Sequence, residues 1–146
     1  MKELIEDNNC IEALETDYLY VQSSQLPNAG SGLFTAIDIF KEEVISIFSG
    51  DVLTQKQALL KAEKGDDKYF INMLDGNILD CMHVNCYAKY ANDATGMGDF
   101  GFKNNAKISI NENDEICIIA TKNIKSSQEI FCSYGKKYWK KHAPVV

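Results

Sequence analysis

The sequence lacks any apolar run long enough to cross a lipid bilayer, because a membrane-spanning helix needs about 20 predominantly apolar residues. Residues 1–9 are acidic and polar, which is unlike the basic start and apolar centre of a secretory signal. Neither an internal repeat nor a low-complexity tract is present. We therefore expect a soluble intracellular protein, in the nucleus or the cytoplasm, with no membrane partner.

Positive charge is scarce in this chain. Fifteen Lys and Arg residues stand against 21 Asp and Glu residues, which gives a net charge of −6. A protein that binds nucleic acid directly normally presents a basic surface to the phosphates, so direct nucleic-acid binding is disfavoured. An acidic surface suits a basic partner such as a lysine-rich peptide, but net negative charge also serves solubility alone.

The usual cysteine and histidine patterns of metal sites are missing too. The five cysteines are odd in number, irregularly spaced and without a CxxC pair, and the two histidines lie far apart. This pattern argues against a disulfide framework, and no four ligands for a structural zinc ion can be identified, so no metal is expected. Cys117 and Cys132 lie in apolar runs and are expected to be core residues.

The segments that are present predict a mainly β protein with short helices. The 146 residues suffice for one domain with a real core, and 45% of them are hydrophobic. Short aromatic or β-branched segments between turn residues predict strands. The predicted strands cover residues 18–22, 33–35, 44–48, 69–74, 77–80, 107–110, 116–121 and 130–132. Thr54, followed by Gln57 three residues on and Gly65 as a stop, predicts a helix, and residues 86–90 and 136–142 are further helical candidates.

Three short motifs stand out. The glycines of Gly30-Ser31-Gly32 permit positive φ and close approach of a ligand to the backbone, although a plain tight turn has the same composition. Asn92 could hold the amino and carboxylate ends of an amino-acid-like ligand, or simply bind its own backbone. Tyr134, before Gly135, follows the last predicted strand and would place its hydroxyl at a pocket rim, or at the surface as a half-buried tyrosine.

In this order the motifs resemble those of the SET domain of protein lysine methyltransferases. The segment Ala29 to Phe34 resembles the family's GxG-leucine-phenylalanine sequence. Lys89 to Ala94 stands where the family has arginine-phenylalanine-isoleucine-asparagine-histidine-serine, and Glu129 to Gly135 resembles the closing glutamate-leucine-x-x-x-tyrosine-glycine. The resemblance implies a SET-domain β fold with a C-terminal pseudoknot over residues 18–146, preceded by an N-terminal arm or short helix at residues 1–17.

The resemblance also implies a reaction, the transfer of a methyl group from S-adenosylmethionine to a lysine of a protein or peptide, with histone tails as the commonest family substrate. Tyr134 would be catalytic, because its hydroxyl would orient the methyl group and the amine. The implied cofactor-binding residues are Gly30, Ser31, Gly32, Leu33, Tyr90, Asn92, Asp93, Tyr134, Tyr138 and Trp139, the last two as a cover for the adenine. The implied substrate channel consists of Phe48, Tyr69, Ile71, Cys132 and Tyr134.

Departures from the family pattern leave alternatives open. Asp93 replaces the usual histidine, Phe48 stands where many members have tyrosine, and Cys132 occupies a position often held by an aromatic residue. The cysteine-rich zinc segments that flank many histone-directed members are absent. A catalytically weak SET-like module that binds peptide or cofactor is therefore one alternative. A plain β-rich interaction domain, which would not bind S-adenosylmethionine, is another.

Overall fold

Ten short strands in three small sheets dominate residues 11–73, 75–95 and 101–133, which are the residues that the computed structural model describes. The strands are β1 (Leu19–Ser23), β2 (Ser31–Thr35), β3 (Val44–Ile47), β4 (Asp51–Leu53), β5 (Phe70–Asn72), β6 (Ile78–Asp80), β7 (Ala106–Ile110), β8 (Ile116–Ala120), β9 (Glu129–Ile130) and β10 (Cys132–Ser133). The sheets have the strand orders β1-β2-β9, β10-β7-β8-β3 and β4-β6-β5. The helical elements are α1 (Glu15–Tyr18), α2 (Gln55–Glu63) and one 3₁₀ turn (Ala88–Tyr90). The predicted fold class, mainly β with short helices, is confirmed.

Helix α2 begins where its capping sequence predicts. The Thr54 hydroxyl accepts a hydrogen bond from Gln57 N at 3.2 Å, and the Gln57 side chain accepts one from Thr54 N at 2.9 Å. This reciprocal pair satisfies two backbone donors that the first helical turn leaves unpaired. The helix ends at Glu63, and Gly65 follows with a φ of 81°, a conformation in which glycine avoids the steric cost of a Cβ.

Two elements differ from the predicted strands. Strand β4 was not predicted; it is paired along its whole length with β6, from Asp51↔Asp80 to Leu53↔Ile78. The single strand predicted at residues 130–132 is two strands. At Phe131 the chain leaves β2 and begins to pair with β7. The terminal helix predicted at residues 136–142 lies outside the described residues.

The main core lies between the sheets and is built from aliphatic side chains. Its largest fully buried members are Leu33, Ile39, Ile45, Ile118, Ile124 and Ile130. Cys117 and Cys132 are also fully buried, which confirms their prediction as core residues. Over the described ranges, no helix is long and apolar enough to span a bilayer.

The division predicted between an N-terminal arm at residues 1–17 and a domain from residue 18 stays a prediction. Helix α1 crosses that boundary. Glu15 in this helix accepts hydrogen bonds from Ser46 Oγ at 2.6 Å and from Ile47 N at 3.1 Å. The last residues before the boundary are therefore attached to β3.

The segment Phe131–Cys132 lies between two parts of the chain that precede it. Cys132 N donates to Asn92 O at 2.8 Å, whereas Phe131 O accepts from Asn105 N at 2.9 Å and from Ala106 N at 3.0 Å. The N–H and C=O of one trans peptide group point in opposite directions, so Asn92 is on one side of the segment and the start of β7 on the other. This insertion places the segment where the predicted pseudoknot requires it.

Candidate functional site

A cavity of about 840 Å³ opens where the β1–β2 loop, the Asn92 segment, helix α2 and the β5–β6 hairpin meet. Its volume falls within the range of about 300–1,000 Å³ that is usual for small-molecule sites. The predicted site residues that line it are Gly30, Ser31, Phe48, Tyr69, Ile71, Tyr90, Asn92 and Asp93. The fold therefore brings predicted cofactor residues and predicted channel residues to one cavity, although they are spread from residue 30 to residue 93.

Other predicted site residues lie elsewhere. Gly32, Leu33 and Cys132 are buried and are not part of the cavity wall. Leu33 and Cys132 belong to the core cluster. Tyr134, Tyr138 and Trp139 lie outside the described residues.

The β1–β2 loop offers bare backbone to the cavity. Ser24 N donates to Gly30 O at 2.8 Å, which closes the loop between the paired residues Ser23 and Ser31. Gly30 has a φ of 71°, and a Cβ placed there would meet no atom within 4 Å. This combination suits a ligand that approaches the main chain directly.

Asn92 connects this loop to the second motif. Its side-chain Nδ2 donates to Ser31 O at 2.9 Å, while its backbone C=O accepts from Cys132 N. Asn92 thus fixes the position of Ser31 relative to the C-terminal segment. Three predicted motif regions, although distant in sequence, are joined by this one residue.

The buried carboxylate of Glu129 explains Gly32. Glu129 is 2% exposed and accepts hydrogen bonds from Ser24 Oγ at 2.7 Å and from Gln25 N at 2.8 Å. A Cβ on Gly32 would overlap Glu129 Oε2 and would lie 3.1 Å from the Cα of Ser24. Gly32 therefore leaves space for the carboxylate that holds the loop. Its effect on the cavity is indirect, because Gly32 is not part of the cavity wall. Sequence reasoning quoted Glu129 as part of a motif but gave it no role.

Asp93 organises the chain that follows Asn92. Its Oδ1, on a side chain that is 4% exposed, accepts hydrogen bonds from Thr95 N, from Thr95 Oγ1 and from Asn104 Nδ2, at 2.9–3.0 Å. Asn104 Oδ1 in turn accepts from Ala94 N at 2.8 Å. Asp93 therefore uses its carboxylate within the protein.

Lys89 holds the loop that follows β6, a role that sequence reasoning missed. Its Nζ donates to the carbonyl oxygens of Cys81, Met82 and Val84 at 2.9–3.2 Å. The same ammonium lies 5.6 Å from the ring centroid of Tyr69 and 5.4 Å from that of Tyr90, within the range of cation–π attraction. Lys89 thus stabilises two aromatic residues of the cavity wall and the loop beneath them.

Two thiols meet under this wall. The Cys81 S–H donates a hydrogen bond to Cys86 Sγ, which raises the pKa of Cys81 and lowers the pKa of Cys86 below its ordinary value. Backbone N–H groups also lower the pKa of Cys86, among them Ser49 N at 3.4 Å. By contrast, burial raises the pKa of Cys132.

The helix α2 side of the cavity was not predicted either. Gln55, Ala58, Leu59 and Ala62 line it, and Gln55 Nε2 donates to the carbonyl oxygen of Gly76 in the β5–β6 turn. Only a spacing of three or four residues relates these side chains, and that pattern is equally typical of a helix face packed on a core. The sequence therefore contained no distinctive signal for this wall.

Comparison with known proteins gives a consistent family. A family model described as the SET domain matches residues 30–135. The structure of an active polycomb repressive complex 2 in the basal state gives a TM-score of 0.66 at 27% identity, and the match covers 81% of this chain and 15% of that chain. Chaetomium thermophilum Polycomb Repressive Complex 2 bound to GSK126 gives a TM-score of 0.67 at 26% identity, and the match covers 85% of this chain and 17% of that chain. A ctPRC2 in an autoinhibited conformation bound to S-adenosylmethionine shares the fold. Its TM-score is 0.67 at 24% identity, and the match covers 86% of this chain and 17% of that chain.

This chain spans about a sixth of the length of those solved chains, 15–17% in the three cases. Among curated proteins, no sequence relative matches it.

Proposed function

The chain belongs to the SET-domain family, and on that premise we propose that it is a protein lysine N-methyltransferase that uses S-adenosylmethionine. One observation carries the proposal. A single cavity joins the glycine loop and the Asn92 segment to the aromatic and aliphatic side chains of Phe48, Tyr69 and Ile71. A methyl donor and a lysine side chain need such a shared space, because the reacting atoms must lie about 3–3.5 Å apart.

The cofactor end of the cavity fits an amino-acid-like ligand. Residues 28–31 line it, and Gly30, which has only backbone to offer, leaves open space where a side chain would stand. Carbonyl oxygens and N–H groups of this kind can bind an ammonium and a carboxylate. We assign cofactor contacts to Gly30, Ser31, Tyr90, Asn92 and Asp93, support from behind to Gly32 and Leu33, and adenine contacts to Tyr138 and Trp139.

When bound, S-adenosylmethionine would supply a methyl group on a positively charged sulfur. The protein's own task is then to present a neutral amine. A free lysine has a pKa of about 10.4 and is mostly charged at neutral pH. Phe48 is 6% exposed, and Tyr69 and Ile71 are half-buried. These apolar walls would disfavour the charged ammonium by desolvation.

Alignment is the remaining requirement. We assign it to Tyr134, whose hydroxyl would orient the amine. Exclusion of water and fixed orientation of reactants together account for a large share of many enzymatic rate enhancements. A strong general base is then not essential, because the amine already enters in its neutral form.

The substrate that we propose is a lysine-rich protein segment, with histone tails as the first candidates. The net charge of −6 favours encounter with a basic chain. The matched solved structures are polycomb repressive complex 2 assemblies.

Cofactor binding is the first test. S-adenosylmethionine at 100 times its Kd should stabilise the folded chain by about 2.7 kcal/mol, measured as a rise in Tm. No rise in Tm at millimolar cofactor would reject the proposal and leave a SET-domain protein that does not bind S-adenosylmethionine; a plain β-rich domain is already excluded by the family match. Methyl transfer is then measured with labelled cofactor on core histones and on a whole-cell lysate. Cofactor binding without transfer to any protein would favour the catalytically weak module.

Tyr134→Phe tests the catalytic assignment. We expect methyl transfer to fall by roughly 100-fold or more, the usual effect of removing one well-placed transition-state hydrogen bond, while the cofactor still raises the Tm. Tyr20→Phe is the matched control, because Tyr20 stacks on Phe34 in the β1–β2 sheet and is not part of the cavity wall. Normal turnover in Tyr134→Phe would remove that residue from the mechanism.

A further inference from the structure

The loop between β6 and the 3₁₀ turn brings Cys81 and Cys86 together. Cys81 follows β6 directly, and Cys86 lies two residues before the 3₁₀ turn. Both lie against residues 49–50, because Ser49 N donates to Cys86 Sγ at 3.4 Å and a Cβ placed on Gly50 would lie 3.0 Å from the Cα of Cys81. Lys89 Nζ binds the carbonyl oxygens of residues 81, 82 and 84, so the loop is held in this conformation. Both residues are thiols in this structure, and a disulfide between them would join the two sulfurs at about 2.05 Å.

Cys86 is the nucleophilic member of the pair. Its Sγ accepts a hydrogen bond from Ser49 N at 3.4 Å. The backbone N–H groups of Ser49, Lys89 and Ala88 all lower the pKa of Cys86. Thiolates are the reactive form of cysteine. Cys81 donates to this sulfur and holds its own proton.

A small oxidant can reach this pair. Cys81 forms part of the wall of the 840 Å³ cavity, and Cys86 keeps 8% of its surface exposed. Cys117 and Cys132 are 0% exposed and lie away from the cavity wall. Cys81 is 0% exposed as well, so among the described cysteines this pair differs from the other two only because Cys81 lines the cavity and Cys86 keeps a small exposed surface.

We propose that Cys81 and Cys86 form a peroxide-reactive dithiol that closes into an intramolecular disulfide. The Cys86 thiolate attacks one oxygen of hydrogen peroxide, the O–O bond breaks, and hydroxide leaves and takes up a proton. The sulfenic acid on Cys86 is then attacked by the Cys81 sulfur, which forms the S–S bond and releases water. Two thiols are oxidised and one peroxide is reduced to two water molecules.

Closure of the disulfide changes the cavity wall. It takes away the Cys86 thiol, which accepts from Ser49 N and donates to Ile47 O at 3.8 Å on either side of Phe48, and it shifts Cys81 within the wall. On the basis of the proposed function, we expect the oxidised protein to lose methyl-transfer activity and to regain it with dithiothreitol. Formation of the disulfide does not depend on methyltransferase activity, so the experiments can reject either proposal without rejecting the other.

Peptide mapping of the full-length protein tests the proposal. Cleavage after lysine leaves Cys81 and Cys86 alone together in residues 69–89, while the other cysteines fall in residues 3–41, 108–122 and 126–136. After hydrogen peroxide, unfolding and iodoacetamide, residues 69–89 should lack two hydrogens and carry no alkyl group. Cys117 and Cys132 should be fully alkylated. Recovery of residues 69–89 with two alkyl groups, at peroxide doses that oxidise an added dithiol peptide, would overturn the proposal.

Two variants separate the roles of the sulfurs. In Cys81→Ala, the oxidation of Cys86 should stop at the sulfenic acid, which a 1,3-diketone probe captures. In Cys86→Ala, Cys81 should remain a thiol, and Cys117→Ala should form the disulfide as the unmodified chain does. In the native unmodified protein at pH 7, Cys86 should be alkylated at least roughly tenfold faster than Cys117 or Cys132. Equal rates, or a disulfide joining Cys86 to any other cysteine, would contradict the assignment.

Discussion

The carboxylate of Glu129 restricts the residue that faces it on β2. Its two oxygens accept from Ser24 Oγ and Gln25 N inside the protein, and hydrogen bonds to a charged acceptor are stronger than those between neutral groups. Only a residue without a Cβ can lie beside Oε2, and Gly32 is that residue. One glycine of the GxG motif is thus required by internal packing, whereas Gly30 is favoured by its φ of 71° in the turn.

Gly32→Ala should therefore destabilise the protein by about 1–3 kcal/mol, the usual cost of overpacking, measured by urea denaturation. Glu129→Ala is also destabilising, because the half-buried Ser24 hydroxyl and the exposed Gln25 N lose their hydrogen bonds to a charged acceptor, at a cost of about 1.5–3 kcal/mol. In the double variant the clash with the carboxylate is gone and only the 3.1 Å approach to the Ser24 Cα remains, so the effect of Gly32→Ala should be much smaller. Full additivity of the two changes would show that Glu129 is not the reason for the glycine.

The thiol of Cys86 should ionise at a lower pH than an ordinary cysteine. The groups around the pair are the Cys81 thiol, the Asp80 carboxylate, the Lys89 ammonium and the N–H groups of Ser49, Ala88 and Lys89. The hydrogen bond from Cys81 and the N–H groups of Ser49, Lys89 and Ala88 outweigh the effect of burial and lower the pKa of Cys86. Its alkylation rate should therefore reach its plateau at a pH below about 8.5, the pKa of a free cysteine.

Two variants at position 81 isolate the hydrogen bond in this prediction. Cys81→Ser keeps a donor, whereas Cys81→Ala removes it and should move the alkylation midpoint of Cys86 to higher pH, with a slower rate at pH 7. Iodoacetamide incorporation into residues 69–89, followed against pH, gives both midpoints. Identical midpoints in the two variants would show that the residue at position 81 does not stabilise the thiolate.

Helix α2 forms one wall of the cavity and depends on its cap. It has nine residues, and helices this short are marginal in water without tertiary or capping interactions. Thr54→Ala should cost about 1 kcal/mol of stability, because Gln57 N loses its acceptor. Thr54→Ser keeps the hydroxyl and should lose much less. Equal urea midpoints for the two variants would contradict the role of the cap.

Local sequence signals predicted the secondary-structure elements better than they predicted which residues line the cavity. The capping sequence at Thr54 predicted α2, and short apolar segments between turn residues predicted β5 and β6, because each of these signals depends on neighbouring residues. Strand β4 could not be predicted, since β6 supplies its hydrogen bonds. The contacts of Lys89 with the 81–84 loop, and of Cys81 with Cys86, depend on a loop conformation that residue spacing does not specify.

The insertion of residues 131–132 between Asn92 and β7 joins the whole molecule together. These residues hydrogen-bond to both sides, and β9, just before them, pairs with β2 at the other end of the chain. The family resemblance predicted that these motifs meet. Composition and strand patterns alone could not, because pairing between such distant segments leaves no local signature.

Hydrogen exchange can test this arrangement. The amide of Cys132, bonded to Asn92 O, should exchange only through global unfolding, with an opening free energy equal to that of unfolding. The amide of Asn77, bonded to the exposed side chain of Asp75, is a control that should exchange through local opening. Fast exchange at Cys132 under native conditions would show that the C-terminal segment detaches on its own.

The position of β9 and β10 in the chain has a consequence during synthesis. Residues 129–133 leave the ribosome after every segment with which they pair, namely β2, Asn92 and the start of β7. A nascent chain that has not reached Glu129 lacks the carboxylate behind the glycine loop and the strand that Asn92 binds. The cavity wall can therefore mature only late in translation, and earlier ribosome-bound intermediates should be unable to retain its ligand.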